Sequence, residues 1–351
     1  MKIAVDMRMS GKSGIGTFID SVLPFLTEDK SDEFLLLAPE EKPEWRKPNV
    51  RFIKCSVPMF SIKEMFFFPK DLLREINSCN LYFTPYCNIP GGIKVPVVST
   101  IHDIVFLDVK GLSSPAGCAA RKFFYRRCIK KSKKILTVSE FSRSRIIEKL
   151  KCKKEICVVY NGVPAYIEKK SEKPEPKENS ILFIGNIKKH KGLKTLLLAH
   201  ELIKQKLGEK APVLTITGSR ENFRTEDKET SELLKKNTEG NKTVFTGFVS
   251  DEKLKSLIMR AKVLVQPSLY EGFGIPPLQA LKLGTRAVIS DIPVFKEIYG
   301  DFPVTFFECG NEKDLADKII TELSKPPLEE KIPDRYSYRI TSCCIKKSFL
   351  I

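Results

Sequence analysis

Residues 263–298 read VLVQPSLYEGFGIPPLQALKLGTRAVISDIPVFKEI. An apolar, β-branched run ends at Pro267, and a loop, SLYEGFGI, follows it. A helix is expected to open at Pro276-Pro277, because the first N–H groups of a helix have no intrahelical partner and proline loses nothing there. A second apolar run, RAVIS, reads as the next strand. Strand, glycine-bearing loop, helix and strand form the repeating unit of a parallel sheet covered by helices. Gly272 and Gly274 free the loop backbone, so the N–H groups of Phe273, Gly274 and Ile275 can point at an anion before the helix's positive end. Glu271 sets a carboxylate beside that pocket, and it must be oriented toward something other than phosphate, such as sugar hydroxyls. Gln279 lies eight residues after Glu271, with an amide that both donates and accepts.

The same alternation runs through the chain. KIAVDM, EFLLLA, RFIKCS, LYFTP, VPVVSTI, KILTVS and ICVVYN read as strands, with helical patterns over 16–26, 62–76, 119–131 and 141–150. The segment IEKKSEKPEPKENS, residues 167–180, is charged and proline-bearing and reads as a linker. Beyond it, ILFIG, VLTITG, TVFTG, KVLVQPS, RAVIS and PVTFF restart the strand series, and Ser250 is placed to cap the helix that follows it. The expected architecture is α/β: two doubly wound domains, 1–166 and 181–330, facing a cleft, with a C-terminal helical tail at 331–351. Ligands of such folds bind beyond the carboxyl ends of the strands.

At 351 residues the chain can bury two cores. It has no run of about 18 apolar residues that could span a bilayer, and its N-terminus lacks the apolar stretch of a signal peptide. The ten cysteines form no Cys-x-x-Cys pair and suit no zinc spacing, which suggests free thiols in a reducing cytoplasm. A net charge of +17 seeks anions. The densest cluster, RKFFYRRCIKKSKK, opens on Arg121 and closes on Lys134, with eight basic residues, no acid and three aromatics. It suits an anionic membrane surface; the competing reading turns the aromatics into the core. Nucleic-acid binding has no recognised module behind it.

MSGKSGIGTF, residues 9–18, raises a phosphate question of its own. A P-loop would need glycine where Asp6 stands, so Gly11-Lys12-Ser13 is not one. A strand, a glycine turn and a helix remain, readable as an anion cradle or as a plain β-to-α turn.

The segment around Glu271 resembles the E-x7-E signature of retaining glycosyltransferases of the GT-B fold, family 4, with two Rossmann-like domains. GIGTF, STIHDIVF, ILTVSEFSR, VVYNGVP, ILFIGNIKKHKGL, VFTGFVSDEKL and SDIPVFKEI agree in order. The nearest members are bacterial cell-surface polysaccharide and lipopolysaccharide enzymes transferring mannose or a similar sugar. The resemblance implies transfer of a hexosyl group, with retention, from a nucleotide-diphosphate sugar to a glycan or lipid-linked acceptor. Gly14 to Gly16 would be the N-terminal glycine loop approaching the diphosphate, and Lys191 would neutralise it. Glu271 would hold donor-sugar hydroxyls, Gln279 the ribose, and the backbone at Val249 the base. His102 would sit near the reacting centre, poised near neutral pH, with Asp103 orienting it or capping its loop. His190 divides between a site role and a surface loop, while His200 reads as core. Asn161-Gly162 reads as a tight turn near the domain junction, since both residues tolerate positive φ. Arg8 would face the phosphate or form a surface ion pair. No Asp-x-Asp motif suggests a bound metal, and no cofactor is expected. The expected location is cytoplasmic, peripheral on the inner membrane face.

Two positions depart from the pattern: Gln279 replaces a second glutamate, and Asn186 stands where many members carry arginine. They motivate one alternative, a non-catalytic nucleotide-sugar-binding paralogue; a sugar-nucleotide epimerase of the same fold is a separate rival reading.

Overall fold

The computed structural model describes residues 1–11, 13–168, 175–218, 228–238, 242–329 and 335–350. Lys12, residues 169–174 of the expected linker and residues 331–334 and 351 of the expected tail lie outside the described residues.

The chain divides into two compact units. Unit 1 comprises 1–108, 113–162 and 335–351, and unit 2 comprises 109–112 and 163–334. Unit 1 holds β1 (Lys2–Asp6), β2 (Glu33–Ala38), β3 (Val50–Lys54), β4 (Leu81–Thr84), β5 (Val97–Thr100), β6 (Lys134–Thr137) and β7 (Ile156–Val158). They form one sheet in the order β3-β2-β1-β4-β5-β6-β7, with every pair parallel. Unit 2 holds β8 (Glu178–Ile184), β9 (Val213–Thr217), β10 (Thr243–Gly247), β11 (Ala261–Gln266), β12 (Arg286–Ser290) and β13 (Val304–Phe307), in the parallel order β10-β9-β8-β11-β12-β13. The strand order reverses at β1/β4 in unit 1 and at β8/β11 in unit 2, so each sheet has one switch point.

The strands form because their sequences suit burial on both faces. In β1 and β2, Ala4, Leu35 and Leu37 enter one core while Ile3, Val5, Phe34 and Leu36 enter the other, following the two-residue period of a strand. In unit 2, Ile181, Phe183, Leu214, Ile216, Val263 and Val265 pack with Leu196, Leu197 and Ile203 of the helix Leu193–Leu207. Each such fully buried side chain contributes about 1.5–3 kcal/mol.

All thirteen strand-like runs are strands. The helix expected over 62–76 is two, Ile62–Phe66 and Lys70–Asn77. Pro69 divides them, because proline disfavours helix in the residue before it and cannot donate to a preceding turn. The helix expected from 119 starts at Pro115, with the Ser114 hydroxyl accepting from Gly117 N–H. Ser250 caps the helix Asp251–Arg260 through the N–H of Lys253, as expected. The ten cysteines are free thiols.

The last helix, Tyr338–Phe349, belongs to unit 1. Tyr338, Ile345 and Phe349 enter the same core as Phe18 and Phe83. The Ser342 hydroxyl donates to Val22 O at 3.1 Å, and the Thr341 hydroxyl donates to Tyr160 O at 2.6 Å. This corrects the reading of Asn161-Gly162. Neither residue has positive φ, and glycine is needed at 162 because a Cβ there would lie 2.2 Å from Tyr338 N. Gly162→Ala is therefore expected to destabilise unit 1 by about 1–3 kcal/mol through overpacking. The urea midpoint of the fluorescence of Trp45, the single tryptophan and a core residue of unit 1, reads this out. An unchanged midpoint would show that the backbone gives way freely.

Candidate active site

At the switch point of unit 2, two loops leave adjacent strands and meet. The loop after β8 turns through the short 3-10 segment Lys189–Lys191 into Gly192, at φ +67°. A Cβ on Gly192 would fall 1.8 Å from Pro267 O, so only glycine lets this turn abut the end of β11. Leu269 N–H then donates to His190 O at 2.8 Å, tying the SLYEGFG loop to the turn.

This docking brings Lys191 Nζ to 2.7 and 2.9 Å from the two oxygens of Glu271. The Ser268 hydroxyl and Gln266 Nε2 also donate to Glu271 Oε1, at 2.8 and 3.2 Å. Burial alone would raise the carboxyl's pKa, but the Lys191 charge and hydrogen bonds, with help from Ser268, hold it below the ordinary value. Glu271 is buried, whereas Lys191 keeps 24% of its side chain exposed. An ammonium has three donors. Two go to the carboxylate, which leaves one uncommitted.

The loop then reaches the helix Ile275–Lys282 through Gly274, at φ +84°. A Cβ there would meet the Phe295 ring at 2.4 Å, and the Tyr299 hydroxyl donates to Gly274 O. Phe273 is buried beside it. Pro276 and Pro277 lack N–H groups, so the helix head has fewer donors than usual. The N–H groups of Gly274 and Ile275 make no hydrogen bond among the described residues.

Gln279, buried on the same helix, donates from Nε2 to the Tyr166 hydroxyl at 2.7 Å. Tyr166 was not anticipated: it lies on a four-residue helix, Ala165–Glu168, beside the expected linker. With Gln279 donating, the Tyr166 hydrogen and Gln279 Oε1 stay available. Gln266 and Ser268 were also missed, although their place at the end of a strand was the available signal. Val249 follows β10, half-buried, next to the highly exposed Phe248. Asn186 is half-buried after β8. His190 is buried and pushed down to about 3, chiefly by desolvation and then by the Lys191 charge, so it is neutral. His200 is in the core, its Nε2 on Pro212 O at 3.0 Å.

In unit 1, Gly14 and Gly16 lie in the first turn of the helix Ser13–Leu26 rather than in a loop before it. Gly16 packs against the preceding turn, where a Cβ would lie 2.4 Å from Met9 O. The turn's own Gly11 N–H is taken by Asp20 Oδ2 at 2.8 Å, and the Ser10 hydroxyl donates to Asp20 Oδ1 at 2.5 Å.

Both readings of Arg8 are corrected. It is buried at the switch point of unit 1, with Nη2 at 2.5 Å from Asp6 Oδ2 and 2.7 Å from Glu64 Oε1. The Tyr82 hydroxyl donates to Asp6 Oδ2 at 2.8 Å. A guanidinium enclosed by two carboxylates is unavailable to phosphate and is no surface pair. Desolvation pushes Glu64 upward; Asp6, held against the same desolvation by Arg8, lies below its ordinary value.

His102 follows β5. Its Nε2 lies 2.8 Å from Pro85 O, and because a carbonyl only accepts, Nε2 carries the proton and Nδ1 the lone pair. Its ring stands edge-on to Phe18, with centroids 4.9 Å apart. Desolvation, partly offset by the Pro85 bond, pushes it down to about 4, not near neutrality as expected. Asp103 caps the following turn, accepting from Val105 N–H at 3.1 Å.

These are two parallel α/β units with the topology of the GT-B fold, and solved glycosyltransferases share it. Sucrose-phosphate synthase from Thermosynechococcus elongatus superposes with a TM-score of 0.71 at 15% identity, covering 99% of this chain and 95% of that one. Anabaena HepE, solved with UDP and glucose, gives 0.68 at 16%, covering 99% and 94%. A family model described as Glycosyltransferase Family 4 matches residues 13–165, and one described as Glycosyl transferases group 1 matches 166–338. The chain belongs to the family 4-like glycosyltransferases that pair these two domains. The O-antigen chain mannosyltransferase RfbU of Salmonella typhimurium is 32% identical over 182 residues, 50% of this chain and 47% of that protein. O-antigen chain mannosyltransferase B of Escherichia coli is 27% identical over 231 residues, 63% and 59%. The matched regions thus span about half to three-fifths of these curated relatives.

Two outcomes follow from the electrostatics. The folded pKa of Glu271 lies below its ordinary 4.5, so its pairing stabilises the fold above that pH and is lost as pH falls through the folded value. Lys191→Met leaves the carboxylate buried without its cation and is expected to cost about 3 kcal/mol at neutral pH. That deficit should begin to shrink on acidification already above 4.5, because burial without the cation raises the Glu271 carboxyl above its ordinary value, and it should recover in Lys191→Met/Glu271→Gln, measured by urea titration across pH. For His102, a folded value of about 4 against an ordinary 6.5 means that stability rises with pH between those values. Its NMR titration midpoint should fall near 4, and a midpoint near 6.5 would contradict the enclosed geometry.

Proposed function

We propose that the chain transfers a hexosyl group, by preference mannose, from a nucleotide-diphosphate sugar to a glycan or lipid-linked acceptor in cell-surface polysaccharide or lipopolysaccharide synthesis. Transfer proceeds with retention and without a metal ion or other cofactor. The observation that carries this reading is the Lys191–Glu271 pair at the β8/β11 switch point, beside the unpartnered N–H groups of Gly274 and Ile275. The departing nucleoside diphosphate gains negative charge in the transition state, and a fixed ammonium with aligned N–H groups stabilises it. Gly272 and Phe273 complete that loop.

Glu271, anchored by Lys191, Ser268 and Gln266, is oriented to accept from donor-sugar hydroxyls. Gln279 Oε1 takes a ribose hydroxyl, with Tyr166 fixing the amide, and the backbone at Val249 meets the base. In unit 1 the groups offered to substrate are the head of the helix carrying Gly14 and Gly16, and His102. A histidine near pKa 4 is a poor proton acceptor at neutral pH, so His102 serves as a hydrogen-bond acceptor through Nδ1. Residues 121–134 dock on an anionic membrane, which places the protein at the cytoplasmic face beside a lipid-linked acceptor.

The O-antigen names of the relatives support the substrate class. Incubation with a panel of nucleotide sugars and extracted lipid-linked acceptors, following released nucleoside diphosphate, tests it. Turnover is expected with a mannose donor, undiminished by EDTA, with NMR of the product showing the donor's anomeric configuration. Lys191→Met should lower kcat at least about a hundredfold, as for loss of one transition-state charge partner. Donor binding without transfer or hydrolysis would favour the non-catalytic reading, for which position 279 lacking a carboxylate is the supporting observation.

A further inference from the structure

Three of the exposed large apolar side chains in the described residues fall within six positions. Ile62, Phe66 and Phe67 are 70, 69 and 70% exposed. Their exposure is enforced. The short helix Ile62–Phe66 is fastened by Glu64, which is fully buried against Arg8. Glu64 N–H donates to the Ser61 hydroxyl at 3.0 Å, Glu64 Oε2 accepts from Phe60 N–H at 2.7 Å, and Glu64 O accepts from Gly91 N–H at 2.9 Å. Ile62 and Phe66 each lie two residues from Glu64, so a turn that buries Glu64 drives both to its opposite face. Phe60 is held at φ +56°, an unfavourable conformation for a bulky residue, by its ring contacts with Tyr86 and Phe124 at 5.1 and 5.0 Å.

Phe124 belongs to the basic helix Pro115–Lys131, and here the two readings of that segment divide. Tyr125 goes to the core and Phe124 is half-buried, while Phe123 stays 54% exposed, its ring 5.7 Å from Phe124. Lys122, Arg126 and Lys130, each four residues apart, are exposed on one face of this helix. Arg127 donates to Ile89 O, two residues before the Gly91 that bonds Glu64. One short loop therefore laces the apolar turn to the basic helix. Lys63 adds a further exposed cation on the turn itself.

We propose that Ile62, Phe66 and Phe67 insert into the acyl boundary of an anionic lipid bilayer, with Phe123 at their edge and Lys63, Lys122, Arg126 and Lys130 at the headgroups. Rigid apolar side chains flanked by an acid-free basic face match the layered chemistry of that surface, apolar beneath and negative above. The inference rests on the membrane docking proposed above for residues 121–134 and identifies what that docking inserts.

Co-sedimentation with phosphatidylcholine vesicles, with and without phosphatidylglycerol, tests it. Phe66→Ser/Phe67→Ser is expected to weaken partitioning to the anionic vesicles at least about tenfold. Lys122→Glu/Arg126→Glu/Lys130→Glu should weaken it on the order of a hundredfold. In Phe66→Trp, emission should shift to the blue on adding anionic vesicles and be quenched by brominated acyl chains, against the constant background of buried Trp45. Donor hydrolysis by the double serine variant should match the wild type, which separates a failure of insertion from a failure of catalysis. Insertion is overturned if the double serine variant sediments like the wild type, or if the indole introduced by Phe66→Trp resists quenching in the bound protein. It is also overturned if that indole's emission shifts without lipid as the protein dimerises. Loss of binding by the charge variant alone would retain docking through 121–134 and reject the apolar insertion.

Discussion

A carboxylate buried at the end of a parallel strand must find a cation, and the fold of unit 2 answers that need. Glu271 follows β11, Lys191 follows β8, and the two lie 80 residues apart in sequence. They meet because β8 and β11 are neighbours at the point where strand order reverses. Gly192 and the Leu269–His190 bond close the remaining distance. A buried ion pair adds little net stability against well-packed apolar residues, but it penalises every arrangement that leaves one charge alone. Here that penalty holds two loops in a single register, with one ammonium donor left over and the N–H groups of Gly274 and Ile275 making no hydrogen bond among the described residues.

Unit 1 repeats the plan with the opposite outcome. Its switch point also gathers charge, but there Arg8 is paired with Asp6 and Glu64, the Tyr82 hydroxyl donates to Asp6, and all four are closed to solvent. The network does structural work at a distance. By fixing Glu64 inside, it fixes which side of the turn 62–66 faces out, and so a buried polar cluster determines an exposed apolar one. His102, one strand away, is kept neutral by its surroundings and presents a lone pair rather than a charge. The switch point of unit 2 thus keeps a partly exposed cation, whereas that of unit 1 encloses its own.

The strands were fully legible because both faces of these sheets are buried, so each strand is a continuous apolar run bounded by glycine, proline or charge. The loop around Glu271 was legible for a related reason: Gly274 and the two prolines are local backbone requirements, written where they act. Glu271 and Gln279 could be singled out by residue type and Lys191 through the family resemblance, yet their partners could not. Nothing near Gln279 in sequence points to Tyr166, and nothing near Gly162 points to Tyr338, since each pair joins segments more than a hundred residues apart. Arg8 was misread for the same reason. Its two acids are Asp6, which is close in sequence, and Glu64, which is not.

By itself, then, the sequence determined the elements, their parallel arrangement in two sheets, and the candidate loop, because those depend on side-chain period and backbone freedom over a few residues. Only the tertiary structure decided which charges are exposed and which are enclosed, which hydroxyl orients Gln279, and which aromatics of the basic helix reach the core. Those outcomes depend on desolvation and on partners brought together by strand order, and a charge carries no mark in the chain of whether water or another charge will meet it.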